Sequence, residues 1–246
     1  MKICIDPGHG GFDSGAVGPT LLMEKDVNLS ISLKLAEILK FNGIDVVLTR
    51  EKDENPARNS RESLKNRVDF ANSIGADYFI SIHCNSAADK NASGSEVYCY
   101  SLRSPAKSIA EQILKELVDK MGFRNRGVKT RNFYVLKHTK MPACLVEVAF
   151  ISNIKEEAIL KNENMQKKIA LCIARGIGNA LGITIYDIKQ GKVIAKSGLN
   201  VRKGPTLQSP IVQVLKYGEV VKVYEIIDGW YRVDGGWVFG RYIEFI

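Results

Sequence analysis

Apolar positions in the first 182 residues fall into blocks of two alternating periods. Residues 3–5 are a short unbroken apolar run and predict a strand. From Val27, the residues Val27, Ile31, Leu35 and Ile38 recur at helical spacing up to Gly43. "IDVVLT" (44–49) predicts a buried strand. "SRESLKNRVDFANSIG" (60–75) predicts a helix, with Ser60 as N-cap and Glu62 in its first turn. "DYFISIH" (77–83) and "GSEVYCY" (94–100) predict two more strands. Ser104-Pro105 opens a long helix whose apolar stripe is Ile109, Ile113, Leu117 and Met121. "FYVLK" (133–137) and "ACLVEVAF" (143–150) predict strands, and a last helix runs from about Met165 to Leu181, stopped by Gly182. Strands separated by helices of this length predict an α/β domain: an open, mostly parallel or mixed sheet with helices on both faces.

The texture changes after Gly182. Residues 183–192 lack helical periodicity and are assigned as a linker. Residues 193–246 carry a turn pair every 8–12 residues, among them Ser197-Gly198, Gly204-Pro205, Asp228-Gly229 and Gly235-Gly236. Short β-rich runs lie between them, the pattern of a small all-β barrel.

Composition narrows the classes. With 45% apolar and 25% charged residues, the 246-residue chain has an ordinary globular make-up. No apolar run reaches the length of a membrane span. The five cysteines are scattered, odd in number and without a CxxC pair, which argues against a disulfide framework and a cysteine zinc site. The net charge of +8 is spread as +3 over the last 63 residues and +5 over the rest. Without a clustered basic element, nucleic acid is not an expected partner.

The chemistry centres on "ICIDPGHGG" (3–11), which sets His9 among glycines just past the first strand. In open α/β sheets, sites form in the loops beyond the carboxyl ends of strands. His83 ends another strand, in "SIHCNS", and Glu24 precedes the first helix, in "LLMEKDVNLS". Two imidazoles and a carboxylate form a hydrolytic zinc shell with one position left open. His138, in a loop, is an alternative third ligand. Cys84, one residue after His83, faces the other way in a continuing strand. Glu147 stands inside the apolar strand "ACLVEVAF", where a charge is costly unless it is paired or does chemistry. Its place suits a general base.

The order of "IDPGHGGFDSGAVG", "EKDVNLS", "VVLTR", "SIHCNS", "GSEVYCY" and "RNFYVLKHTKMPACLVEVAFISN" resembles zinc-dependent N-acetylmuramoyl-L-alanine amidases of the amidase type 3 family, over about residues 1–182. The resemblance implies Zn2+ held by His9, Glu24 and His83, with Glu147 as the catalytic base. It implies cleavage of the amide between N-acetylmuramic acid and L-alanine in peptidoglycan. Cys84 and Ala149 depart from the commoner residues at their motif positions, but neither is a ligand. Residues 199–243 are similar to bacterial SH3-type domains, which implies cell-wall binding. Trp230, Tyr231, Trp237 and Tyr242 are divided between a ligand groove and the barrel core. The expected partner is the cell wall, without membrane insertion. The rivals are a zinc peptidase acting on the stem peptide and a wall-binding module without catalysis. Met1-Lys2 leads straight into the first strand, so the expectation is synthesis in the cytoplasm without a signal peptide, and action on the wall after release as an endolysin or autolysin.

Overall fold

Strand β1 (Lys2–Pro7) is buried from Ile3 onward because it lies between two parallel neighbours. Residues 1–187 and 189–246 are described in this computed structural model, and they divide into two units, Met1–Ile185 and Tyr186–Ile246. The first unit continues with α1 (Glu24–Phe41), β2 (Asp45–Leu48), α2 (Ser60–Ser73), β3 (Tyr78–Asn85), β4 (Ser95–Cys99) and α3 (Ala106–Met121). It ends with β5 (Asn125–Thr130), α4 (Tyr134–His138), β6 (Ala143–Phe150), α5 (Ile154–Lys161) and α6 (Glu163–Leu181).

The sheet order is β2-β1-β3-β6-β4-β5. All neighbours are parallel except β4 and β6, so β4 and β5 run against the others. The sheet is therefore mixed, and helices cover both faces. Helix α6 packs against both α1 and α3 on one side. On the other, Val68 and Ala71 of α2 and Val135 and Leu136 of α4 join Cys4, Phe79, Ala143 and Leu145 in one core cluster. Strand alternation carries that face onward to Asp6 and Ser81, and then to His83 and Glu147. The face is thus apolar toward the strand starts and polar toward the carboxyl ends of β1, β3 and β6.

Several elements differ from the sequence expectation. The predicted strand 133–137 is instead the short helix α4, entered from extended Phe133. A four-residue apolar run fits one helical turn as well as a strand, and here burial of Val135 and Leu136 against α2 decides it. Strand β5, "NRGVKT", was hidden because an edge strand buries little and has no apolar alternation. Helix α5 was also missed; the Asn153 side chain caps it, accepting from Lys155 and Glu156 N–H. Asn59, rather than Ser60, caps α2 and accepts from Glu62 N–H at 2.9 Å.

The second unit holds β7 (Lys189–Val193), β8 (Leu199–Arg202), β9 (Ile211–Leu215), β10 (Val220–Val223), β11 (Glu225–Ile227), β12 (Trp230–Val233), β13 (Gly236–Phe239) and β14 (Ile243–Phe245). They form sheets β10-β7-β14 and β11-β12-β13-β8-β9 around Val193, Val201, Leu215, Val223, Val238 and Ile243. Strand β7 occupies the end of the stretch read as a linker, so the β unit starts earlier than the turn spacing suggested. Asp228 (φ 47°) and Gly229 (φ 79°) both adopt left-handed backbone, the conformation a two-residue hairpin turn needs between β11 and β12.

Candidate metal centre and active site

Past Pro7 the chain turns through Gly8 and reaches His9 at φ 61°, a left-handed conformation uncommon outside glycine. Two buried arginines hold this turn by its carbonyls. Arg50 donates to Pro7 O (3.1 Å), Gly8 O (2.9 Å) and Lys25 O (2.8 Å). Arg67 donates to Pro7 O at 2.7 Å and to His9 O. Arg67 also pairs with buried Asp6 at 2.6 Å, which accepts from Thr49 and Ser81 hydroxyls. At Gly8 there is no room for a side chain: a Cβ would stand 2.3 Å from the His83 ring.

Glu24 is the first residue of α1 and is buried. Its Oε1 accepts from Cys84 N–H (3.0 Å) and Asn28 Nδ2 (3.2 Å), and lies 3.0 Å from His83 Nδ1. Its Oε2 accepts from Ala16 N–H at 2.9 Å and lies 3.2 Å from His9 Nε2. The far ring nitrogen of His9, Nδ1, contacts Asp13 Oδ2 at 2.9 Å. The two imidazoles meet edge to face, 4.9 Å between centroids. Candidate ligand atoms of His9, Glu24 and His83 all lie within 4.8 Å of one another.

The electrostatics suit a cation. Burial pushes the Glu24 carboxyl up, but His83 and His9 outweigh it and hold the group well below the usual carboxylate range. Burial pulls His9 down, yet Glu24 and Asp13 raise it to about 9. A pocket that draws positive charge so strongly, with two nitrogen donors and one carboxylate, fits zinc.

Glu147 faces the same space. It is the register partner of His83 on β6, and its Oε2 is buried without a hydrogen-bond partner. Burial pushes its carboxyl up to about 7; Glu24 and Glu96 act in the same direction, against the His83 and His9 rings. A cavity of about 380 Å³ exposes His9, His83 and Glu147 between walls of Leu64, Phe133 and Tyr134.

All four residues singled out in the sequence are thus brought together. His138 is not: it ends α4, its ring against Tyr134 at 4.3 Å. Cys84 is buried and contributes only its N–H. All five cysteines are buried and free. Sequence reasoning missed Asp13, Asn28, Arg50 and Arg67. Arg67 carried one usable signal: it lies four residues from Ser63 and from Ala71, on the buried stripe of α2, where a charge needs a partner.

A family model described as N-acetylmuramoyl-L-alanine amidase matches residues 3–179, and one described as bacterial SH3 domain matches 197–244. The chain is 44% identical over 176 residues to the N-acetylmuramoyl-L-alanine amidase LytC of Bacillus subtilis, covering 71% of this chain and 34% of that one. It is 37% identical over 186 residues to the sporulation-specific N-acetylmuramoyl-L-alanine amidase of the same organism, covering 74% and 69%. The chain thus spans about a third of the first relative and over two thirds of the second. Among solved structures, the catalytic domain of CwlV, an N-acetylmuramoyl-L-alanine amidase from Bacillus (Paenibacillus) polymyxa, superposes with a TM-score of 0.68 at 40% identity, covering 74% of this chain and 99% of that one. Matched along most of its first unit by sequence and by backbone, the chain belongs to the N-acetylmuramoyl-L-alanine amidase family, an amidase with a bacterial SH3 domain in its second unit.

Proposed function

We propose that this chain hydrolyses the amide joining the lactyl group of N-acetylmuramic acid to L-alanine in peptidoglycan, with zinc held by His9, Glu24 and His83. The observation that carries the reading is the gathering of three ligand atoms within 4.8 Å beside a cavity that also exposes Glu147. When bound, zinc supplies Lewis acidity toward the scissile carbonyl and toward water. Glu147 takes a proton from the attacking water as the C–O bond forms at the lactyl carbonyl, and returns it to the alanyl nitrogen as the C–N bond then breaks, leaving a lactyl carboxyl group and a free alanyl amine. Its burial and lack of a partner leave a carboxylate with the basicity for both transfers. Asp13 holds the His9 ring from behind, and Arg50 and Arg67 hold the backbone that carries it. Leu64, Phe133 and Tyr134 seat the apolar parts of the muramyl-alanyl junction and keep bulk water out.

The second unit serves to hold the enzyme on the wall, in an endolysin or autolysin that meets its substrate after release. Digestion of purified cell walls tests the function. New N-terminal alanine on otherwise intact stem peptides is the expected product. Other new amino termini would make the chain a stem peptidase, and no new termini a wall-binding module.

A further inference from the structure

The sheet face that carries His83 and Glu147 continues past β6. Glu96 on β4 is the register partner of Glu147, so the two carboxylates project from one face of adjacent antiparallel strands. Glu96 is buried. Its Oε1 accepts from Asn85 Nδ2 (2.6 Å) and the Tyr98 hydroxyl (2.8 Å), and its Oε2 from Arg126 Nε (3.1 Å) and Lys129 Nζ. Both cations belong to the edge strand β5 and reach inward to it. Tyr98 meets Phe133 edge to face at 5.3 Å, and Phe133 is a wall of the active-site cavity. Arg131, just past β5, stands over the same Phe133 ring at 5.6 Å. Arg126, Lys129 and Arg131 thus form a bank of cations beside the cavity, on the far side of Glu147 from His83.

The bank is under-neutralised. Among the described residues, Glu96 is the one carboxylate that pairs with it. Arg126 commits Nε to Glu96 and Nη1 to Ser93 O (3.3 Å), and its guanidinium lies on the Phe150 ring at 4.8 Å. Its Nη2 has no hydrogen-bond partner among the described residues. A guanidinium held this way, with a donor left over, is pre-organised for an anion. The side chains of Arg126 and Lys129 are 28% and 40% exposed, so a ligand can reach them. Their heads meet Glu96 over β4, one strand spacing of about 4.8 Å from β6. Glu147 protonates the alanyl nitrogen, so the peptide side of the scissile amide lies toward it and the bank beyond. An extended peptide advances about 3.3–3.6 Å per residue, which brings the residue after L-alanine to the bank. In peptidoglycan that residue is a glutamate linked onward through its side chain, and its α-carboxylate is either free or amidated. The sugar side of the amide offers only neutral hydroxyl and acetamido groups. We propose that Arg126, Lys129 and Arg131 bind this α-carboxylate, so that the enzyme prefers stems in which it is free. The proposal rests on the amidase reading and deepens it, because it makes the bank the part of the site that selects among wall substrates. Glu96 is then a positioning residue, which aims Arg126 and Lys129.

Two soluble N-acetylmuramoyl tripeptides that differ only in that carboxylate, free or amidated, supply the test. Neither carries phosphate, so a preference between them reports the carboxylate alone. For the full unaltered chain, kcat/KM on the free form is expected to exceed that on the amide by about tenfold or more. Arg126→Gln and Lys129→Gln are each expected to shrink that ratio toward one by slowing cleavage of the free form. A variant that merely folds badly slows both substrates together and leaves the ratio intact. Equal kcat/KM for the two substrates in the unaltered chain would overturn the proposal, as would an unchanged ratio in both variants. Binding is read separately, by calorimetry on the full chain carrying Glu147→Gln, with the same preference expected. An unaltered chain that cuts neither tripeptide would sink the catalytic reading. The binding preference then decides the proposal, and equal affinities for the two tripeptides would overturn it.

Discussion

His83 and Glu147 are register partners on the adjacent parallel strands β3 and β6, and both project from the sheet face that α2 and α4 cover. One strand pair thus sets a candidate ligand beside the candidate base without any loop between them. Glu147→Gln keeps the shape and removes the proton acceptor. The appearance of N-terminal alanine on purified walls is expected to slow by about 10²–10⁴-fold, with zinc content and melting temperature unchanged. Activity surviving that change would mean that another group takes the proton.

Asp13 approaches the ring nitrogen of His9 that faces away from Glu24, at 2.9 Å. A carboxylate behind a ligating histidine fixes its tautomer and raises its basicity, and its loss costs about 10–100-fold in metal affinity. Asp13→Asn is expected to weaken zinc binding by that factor, measured by competition with a chromophoric chelator. Unchanged affinity would limit Asp13 to shaping the loop.

Gly8 is a packing requirement of the same centre. A Cβ there would stand 2.3–2.7 Å from three atoms of the His83 ring, so the ring or the backbone must shift. Gly8→Ala is expected to lower zinc affinity and amide cleavage together, while far-UV circular dichroism stays native. Normal zinc affinity in the variant would show that the ring has room to retreat.

The Asp6–Arg67 pair makes stability depend on pH. Burial pushes the Asp6 carboxyl up, but Arg67 and the Thr49 and Ser81 hydroxyls outweigh it and lower it. A carboxyl depressed in the folded state contributes stability above its unfolded value, about 3.9. That contribution is lost as pH falls through the lower folded value. Urea unfolding is expected to show stability declining below about pH 4, with a weaker decline in Asp6→Asn. Removing only the cation strands a buried charge, so Arg67→Met is expected to cost about 3–5 kcal/mol at pH 7. A parallel decline in Asp6→Asn would place the acid sensitivity elsewhere.

The sequence discloses what burial or misplaced polarity marks. Strands β1, β3 and β6 are legible because a sheet covered on both faces leaves near-continuous apolar runs. Glu147 is legible because it interrupts one of them, and His9 because glycines surround it. Helix α4 is misread because four apolar residues in a row hold too little period to separate a turn of helix from a strand. Asp13, Arg50 and Arg67 escape for another reason. The arginines work on backbone carbonyls at residues up to 60 positions away, and Asp13 works on the back of a ring. Neither kind of contact leaves a periodic trace.

Zinc content measured beside activity is the most direct trial of the proposed centre. The purified full chain is expected to carry one zinc per molecule, to stop exposing N-terminal alanine on chelation and to resume when zinc is restored. His83→Ala is expected to bind no zinc and expose no N-terminal alanine. Full activity in a metal-free chain, or stoichiometric zinc retained after loss of His9, Glu24 and His83 together, would contradict it.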